Sequence, residues 1–170
     1  MEKYIESNIC PLPWNHLEVD VNGGASPCCL YKGSVPGVKV YEQSLSSIQT
    51  HEYMEELRKK FKNGERPSGC QSCWQEEDAG KISKRQNSIY KMRSSLENWT
   101  PNSEPTLKFI DFKLGNVCNL KCRICGSWSS SKWAQEEIDY ETAKGGDNPV
   151  ARKQLKEGGW PKRNPQFFEE

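Results

Sequence analysis

The sequence predicts an α/β chain in two parts, a small α+β metal-binding module followed by an α/β unit that opens on a buried strand. Three observations predict it. In WNHLEVDVNGGASPCC, Leu17, Val19 and Val21 alternate with polar residues before a turn at Asn22, Gly23 and Gly24, which is a hairpin pattern whose return arm delivers Cys28 and Cys29. The later stretch TLKFIDFKLG is a nearly continuous apolar run, as expected of a strand covered on both faces in a parallel sheet. Between them NWTPNSEPT, with two prolines and several turn residues, reads as a linker. The expected division is 1–98 for the first domain, 99–105 for the linker and 106–170 for the second.

The remaining elements follow in order. From Ser44 to Asn63, Leu45, Ile48, Met54, Leu57 and Phe61 fall near one face of an amphipathic helix that opens on serine and closes before Gly64. RPSGCQSCW then forms a knuckle ahead of a polar helical segment from Gln75 to about Leu96. Beyond the strand and a cysteine loop, Ser127 and Ser129 to Ser131 offer caps for a helix carrying Trp133, Ala134 and Ile138. TAKGGDNPVARKQLKEGG reads as an exposed polar excursion, and NPQFFEE as a helix start with Asn164 as N-cap and Pro165 at the first helical position.

Composition bounds the function. Of 170 residues 34% are hydrophobic and 28% charged, and the mean hydropathy is -0.88, so the expected core is thin. A net charge of +1 sets up no global field toward nucleic acid or anionic lipid, and Arg58 to Lys60 read as a solvated helix face. No run approaches the ~20 apolar residues of a membrane span, and the N-terminus lacks the apolar core of a signal peptide. A cytoplasmic protein with no nucleic-acid or membrane partner is expected. In that compartment eight cysteines point to metal ligation rather than to disulfides.

CNLKCRIC places Cys118, Cys122 and Cys125 directly after the apolar strand. Thiolates select iron or zinc over magnesium and calcium. A structural zinc site needs four ligands, and His16 and His51 lie far off in sequence. Three cysteines around a 4Fe-4S cube leave one iron without a protein ligand, free to take another molecule. Structural zinc and three inert buried thiols remain as alternatives. Lys121, Arg123 and Gly126 around the thiols are not core-like.

The pattern C-x3-C-x2-C after a buried strand closely resembles the radical S-adenosylmethionine (radical SAM) superfamily over about residues 106–140. The resemblance implies the first βα unit of a partial TIM barrel, the radical SAM core, with its chemistry on a loop at the C-terminal end of a strand. It implies Cys118, Cys122 and Cys125 as ligands of a 4Fe-4S cluster. The free iron would chelate S-adenosylmethionine, and reductive cleavage would give methionine and a 5'-deoxyadenosyl radical that removes a hydrogen atom from substrate. Ile124 takes the position near the adenine, where the family often has an aromatic residue. The family's glycine-rich GGE segment is absent.

Of the other five cysteines, Cys10, Cys28, Cys70 and Cys73 supply four thiolates, enough for a tetrahedral zinc or a complete 4Fe-4S cluster. Cys28 keeps the spacing from Gly23, and Cys29 is assigned as the spare, with exchange between these neighbours left open. With PW after Cys10, the Gly23 to Cys28 spacing and NGERPSGCQSCWQEEDAGKIS, this half is similar to a twitch domain, a shortened SPASM-type module that carries an auxiliary cluster. Such modules usually follow the radical domain, whereas this one precedes it. His16 reads as a surface histidine, Glu76, Glu77 and Asp78 as a solvated helix face, and the six tryptophans as packing around the metal loops and linker.

A barrel requires further βα units, so the chain is expected to be the N-terminal part of a longer enzyme or a natural truncation. The resemblance implies two 4Fe-4S clusters, S-adenosylmethionine, an electron donor such as flavodoxin or ferredoxin, and a peptide or protein substrate. The competing reading is a non-enzymatic zinc protein that uses two cysteine sites to hold an interaction surface.

Overall fold

The computed structural model describes residues 2–169. The chain divides into two compact units, Met1–Glu18 with Ala25–Val38 and Gln43–Asp111, and Val19–Gly24 with Lys39–Glu42 and Phe112–Glu170. Among the described residues no helix is long and apolar enough to cross a membrane.

The elements of the first part run α1 (Glu2–Glu6), α2 (Leu12–Asn15), β1 (His16–Val19), β2 (Ala25–Ser26), α3 (Leu45–Gln49), α4 (Glu52–Lys62), α5 (Gln71–Asp78), α6 (Lys84–Lys91) and β3 (Phe109–Phe112). The hairpin forms where the alternation placed it. Asp20 closes the turn by accepting from the Asn22 and Gly24 amides at 2.7 and 3.0 Å. Gly23, at φ 77°, holds the left-handed conformation that only glycine adopts without strain.

β1 is buried at every residue, however, and does not alternate. His16 is therefore buried, not a surface histidine: its Nδ1 lies 3.0 Å from the Pro27 carbonyl. Burial holds the imidazole below its ordinary pKa, against the opposing hydrogen bond to Pro27.

The single helix expected over Ser44 to Asn63 is two. Ser44 caps α3 through the Ser47 amide, and His51 caps α4 by accepting from the Tyr53 amide at 3.1 Å, so the chain breaks at Thr50 and His51. The break is held by Arg58, which is buried rather than solvated. Its guanidinium donates to the Gln49 carbonyl at 2.8 Å, at the end of α3, and to the Pro13 carbonyl at 3.0 Å. The polar segment after the knuckle is likewise broken. α5 begins at Gln71, and α6 restarts behind a capping box of Ser83 and Gln86.

These helices close on one core that contains Leu12, Trp14, Leu57, Phe61, Trp74, Ile89 and Leu96. Trp99 belongs to that core too, its ring edge-on to Trp14 and Tyr4 with centroids 5.5 and 5.3 Å away. Cys10 lies in the same core, with Cys28 and Cys70 packed against it.

The sheet is three-stranded, in the order β2-β1-β3. The Thr106 and Lys108 amides donate to the Trp14 and Asn15 carbonyls, so the segment entering β3 runs parallel to the one entering β1. β3 is an edge strand and is not covered on both faces as expected. Phe109 and Ile110 are both exposed, because a strand with one neighbour leaves its other edge and part of its side chains in water.

The second unit is built on α7 (Ser131–Ala143), α8 (Pro149–Glu157) and α9 (Trp160–Arg163). The stretch read as an exposed excursion contains α8. Asn148 caps it through the Ala151 amide at 3.0 Å, and the helix packs on α7. The final turn is 3-10 over Pro165–Phe168, and Asn164 does not cap it, its side chain donating instead to the Trp160 carbonyl. Trp160 is fully buried, stacked on Tyr41 and Phe168 and edge-on to Phe167.

Trp14 stands at the centre of the first unit's core at 1% exposure. Trp14→Ala is expected to destabilise that unit by about 3–5 kcal/mol in a denaturant titration, and a loss below about 1 kcal/mol would contradict this placement.

Candidate metal centres

In the first unit Cys10, Cys28, Cys70 and Cys73 line one cavity. Each arrives from a different piece of local structure. Cys10 ends the arm between α1 and α2, and Cys28 follows β2. Cys70 closes a 3-10 turn over Ser68–Cys70, and Cys73 sits in the first turn of α5, so the C-x2-C spacing brings both to one helix end. The walls are apolar, from Leu12, Leu30, Phe61 and Trp74, and the only cations on them are Lys84 and Arg85 among the described residues.

Two contacts lock the arms together. The Lys32 amide donates to the Gly69 carbonyl at 2.8 Å, joining the loop after Cys28 to the knuckle. Gly69 lies under Tyr31, where a Cβ would stand 2.4 Å from the ring. The Tyr31 hydroxyl is then fixed against that of Tyr53 at 2.9 Å.

Burial dominates the electrostatics of the cavity thiols. Burial raises Cys10 well above its ordinary value, and the Cys28, Cys70 and Cys73 sulfurs raise it further against an opposing backbone hydrogen bond. Burial pushes Cys28 up to about 11 and Cys70 up to about 12, and it also raises Cys73. Cys28 lines the cavity and Cys29 does not, while against the lowering effect of burial Cys29 raises the pKa of the neighbouring Lys84.

Glu77, read from sequence as part of a solvated face, is instead half-buried in an ion pair with the buried Arg85. Arg85 Nη2 lies 2.7 Å from Glu77 Oε2 and Nε donates to Oε1 at 2.8 Å, while the Ser83 hydroxyl donates to Oε1 at 2.5 Å. Burial would raise this carboxyl, but the bonds from Arg85 and Ser83 outweigh it and hold it below the ordinary range. The residues that brace the site were missed in the sequence because the pairing of Glu77 with Arg85 crosses a helix break. The capping box at Ser83 and Gln86, which puts Arg85 in the first turn of α6, was the signal available.

In the second unit Cys118, Cys122 and Cys125 share one exposed loop. Modest desolvation, then the Cys122 and Cys118 sulfurs, raise the Cys125 thiol. The loop is held at its base and at its crown. Asn116, 2% exposed, donates to the Ser127 and Gln154 carbonyls at 2.8 and 3.0 Å. Ser130 is at the N-cap position of α7, yet its hydroxyl does not cap the helix: it donates to the Leu120 carbonyl at 2.8 Å, binding the loop to the helix start. Trp133 Nε1 donates to the Cys122 carbonyl at 3.0 Å, and Lys121 pairs with Glu136. Ile124 is 89% exposed.

These donor sets suit different chemistry. Among the described residues no three His, Cys, Asp or Glu side chains converge as they would round a single metal ion. The four thiols line one cavity whose soft donors and largely apolar wall fit a cluster of several irons. The three-thiol loop has the donors for a cluster with one iron left open.

Residues 10–74 match the family model SPASM, an iron-sulfur cluster-binding domain. The match begins at Cys10 and ends one residue beyond Cys73, so it spans all four cavity cysteines. No curated protein and no solved structure matches the chain.

Two outcomes follow from the cavity. Cys28→Ala is expected to abolish iron and sulfide uptake at this site and Cys29→Ala to leave it intact, read by visible absorption in the chain lacking Cys118, Cys122 and Cys125; the reverse order would contradict the assignment. Because burial raises these thiols and a metal binds thiolates, uptake displaces protons and its affinity should go on rising with pH past the ordinary thiol value of about 9 toward about 11. An affinity that levels off at about pH 9 would contradict the burial of these thiols.

Proposed function

We propose that the chain is a radical SAM protein, with an auxiliary 4Fe-4S cluster in the four-cysteine cavity and a SAM-binding 4Fe-4S cluster on the three-cysteine loop. The observation that carries the reading is the pairing of a complete set, Cys10, Cys28, Cys70 and Cys73, inside the iron-sulfur family match with an incomplete set, Cys118, Cys122 and Cys125, on an exposed loop. Cys118, Cys122 and Cys125 would hold the loop cluster, which when bound would supply the electron for reductive cleavage of S-adenosylmethionine to methionine and a 5'-deoxyadenosyl radical. A donor such as flavodoxin or ferredoxin would reduce that cluster, and a peptide or protein would be the substrate.

The chain's own residues position this chemistry. The succession of β3, the cysteine loop and α7 is a βα unit, which we read as the first of a TIM-type barrel; the free edge of β3 supports that reading. Ile124 extends into solvent next to Cys125, free to lie against the adenine. Ser130, Trp133 and Asn116 fix the loop backbone, so that the three sulfurs can keep one geometry while Cys122 stays exposed.

Metal analysis after anaerobic purification and reconstitution tests the proposal. About eight irons with matching sulfide per chain are expected. S-adenosylmethionine added to the reduced protein is expected to change the electron paramagnetic resonance of the loop cluster, and Cys73→Ala should keep that response. Zinc without sulfide would contradict the proposal and favour a zinc protein with an interaction role.

A further inference from the structure

The arm that carries Cys10 has little to hold it by itself. α1 has five residues, far below the ~12 at which an isolated helix becomes marginal, and the chain from Ser7 to Cys10 is irregular. Its carbonyls converge on one side chain. Arg85 Nη1 donates to the carbonyls of Tyr4, Ser7 and Ile9 at 2.9, 2.7 and 2.8 Å, and Nη2 to that of Ile5 at 3.0 Å. Two of these belong to α1, and the Ile9 carbonyl is that of the residue before Cys10.

The same guanidinium makes the two-point pair with Glu77, on the helix that carries Cys73, and it lines the four-thiol cavity at 2% exposure. Cys28, Cys70 and Cys73 have a separate tie, the Lys32 to Gly69 bond, which does not involve Arg85. The network therefore divides the four ligands into a group of three and a single one.

We propose that Arg85 is the positioning residue for Cys10, a buried guanidinium that ties four carbonyls of the arm bearing the fourth ligand to Glu77 on the helix bearing Cys73. The inference rests on the cluster reading of the four-cysteine cavity. A planar fork with fixed donor directions meets four carbonyls and a carboxylate together, which an ammonium cannot do. When the fork is lost, the arm frays from α1 onward and Cys10 leaves the site, while the other three thiols stay. Three cysteines then hold a cluster whose fourth iron lacks a protein ligand, and a one-electron oxidant such as ferricyanide, itself reduced to ferrocyanide, releases that iron as Fe2+ and leaves a three-iron cluster.

The test uses the full chain with Cys118→Ala, Cys122→Ala and Cys125→Ala, so that only the four-cysteine site reports. Anaerobically reconstituted, this parent is expected to hold about four irons and to give no electron paramagnetic resonance signal when oxidised. With Arg85→Lys added, mild oxidation is expected to leave about three irons and the paramagnetic signature of a three-iron cluster, matching Cys10→Ala in the same background. A merely structural role would lower total loading without that signature. An Arg85→Lys protein that keeps four irons and a silent spectrum overturns the proposal, as does one whose loading falls with no three-iron signal. Should Arg85→Lys fail to fold, Glu77→Gln, which removes the charge that orients the fork, is expected to give the same three-iron signal, and a silent spectrum with four irons there overturns the proposal. A parent that takes up no iron and sulfide overturns the cluster reading itself, which separates that failure from a failure at Arg85.

Discussion

Four thiols facing one apolar cavity are the constraint on which the first unit depends. Each is raised by burial, which disfavours the bare thiolate, and the unit around them is small. Binding a cluster turns those thiols into ligands and makes metal binding part of the folding free energy. The aromatic core fits this arrangement: Phe61 and Trp74 belong both to the core and to the cavity wall, so the packing that stabilises the fold also keeps water from the thiols. A chain with 34% hydrophobic residues has little core to spare, and here much of it surrounds the cysteines.

The cysteine loop of the second unit follows the opposite logic. Its sulfurs lie at or near the surface, and its backbone is fixed by hydrogen bonds to Asn116, Ser130 and Trp133 rather than by apolar burial. A buried site with a full ligand set suits a cluster shielded from solvent, whereas a rigid, exposed loop with three thiols suits one that must admit another molecule.

The legible parts of the sequence were those governed by local chemistry. Spacing gave the hairpin at Asn22 to Gly24, the C-x2-C knuckle at the start of a helix and the grouping of Cys118, Cys122 and Cys125. What could not be read depends on partners distant in sequence. Arg58 and Glu77 look like surface charges in the sequence, but the Pro13 and Gln49 carbonyls offset the burial of Arg58, and Arg85 and Ser83 draw Glu77 partly out of solvent. His16 has the same history, since the Pro27 carbonyl that accepts it comes from the returning arm. The strand over Phe109–Phe112 misled for another reason: an apolar run tells that side chains want cover, but not how many neighbours the strand has. The helix at Pro149–Glu157 was hidden by glycines that flank it rather than interrupt it.

The central claim is that Cys10, Cys28, Cys70 and Cys73 enclose one iron-sulfur cluster. Anomalous diffraction at the iron edge from anaerobically grown crystals measures it most directly. The account predicts a compact group of iron peaks within bonding distance of all four sulfurs, with Cys29 outside it. An anomalous peak at the zinc edge in that cavity, or iron bonded to Cys29 with Cys28 left free, would contradict it.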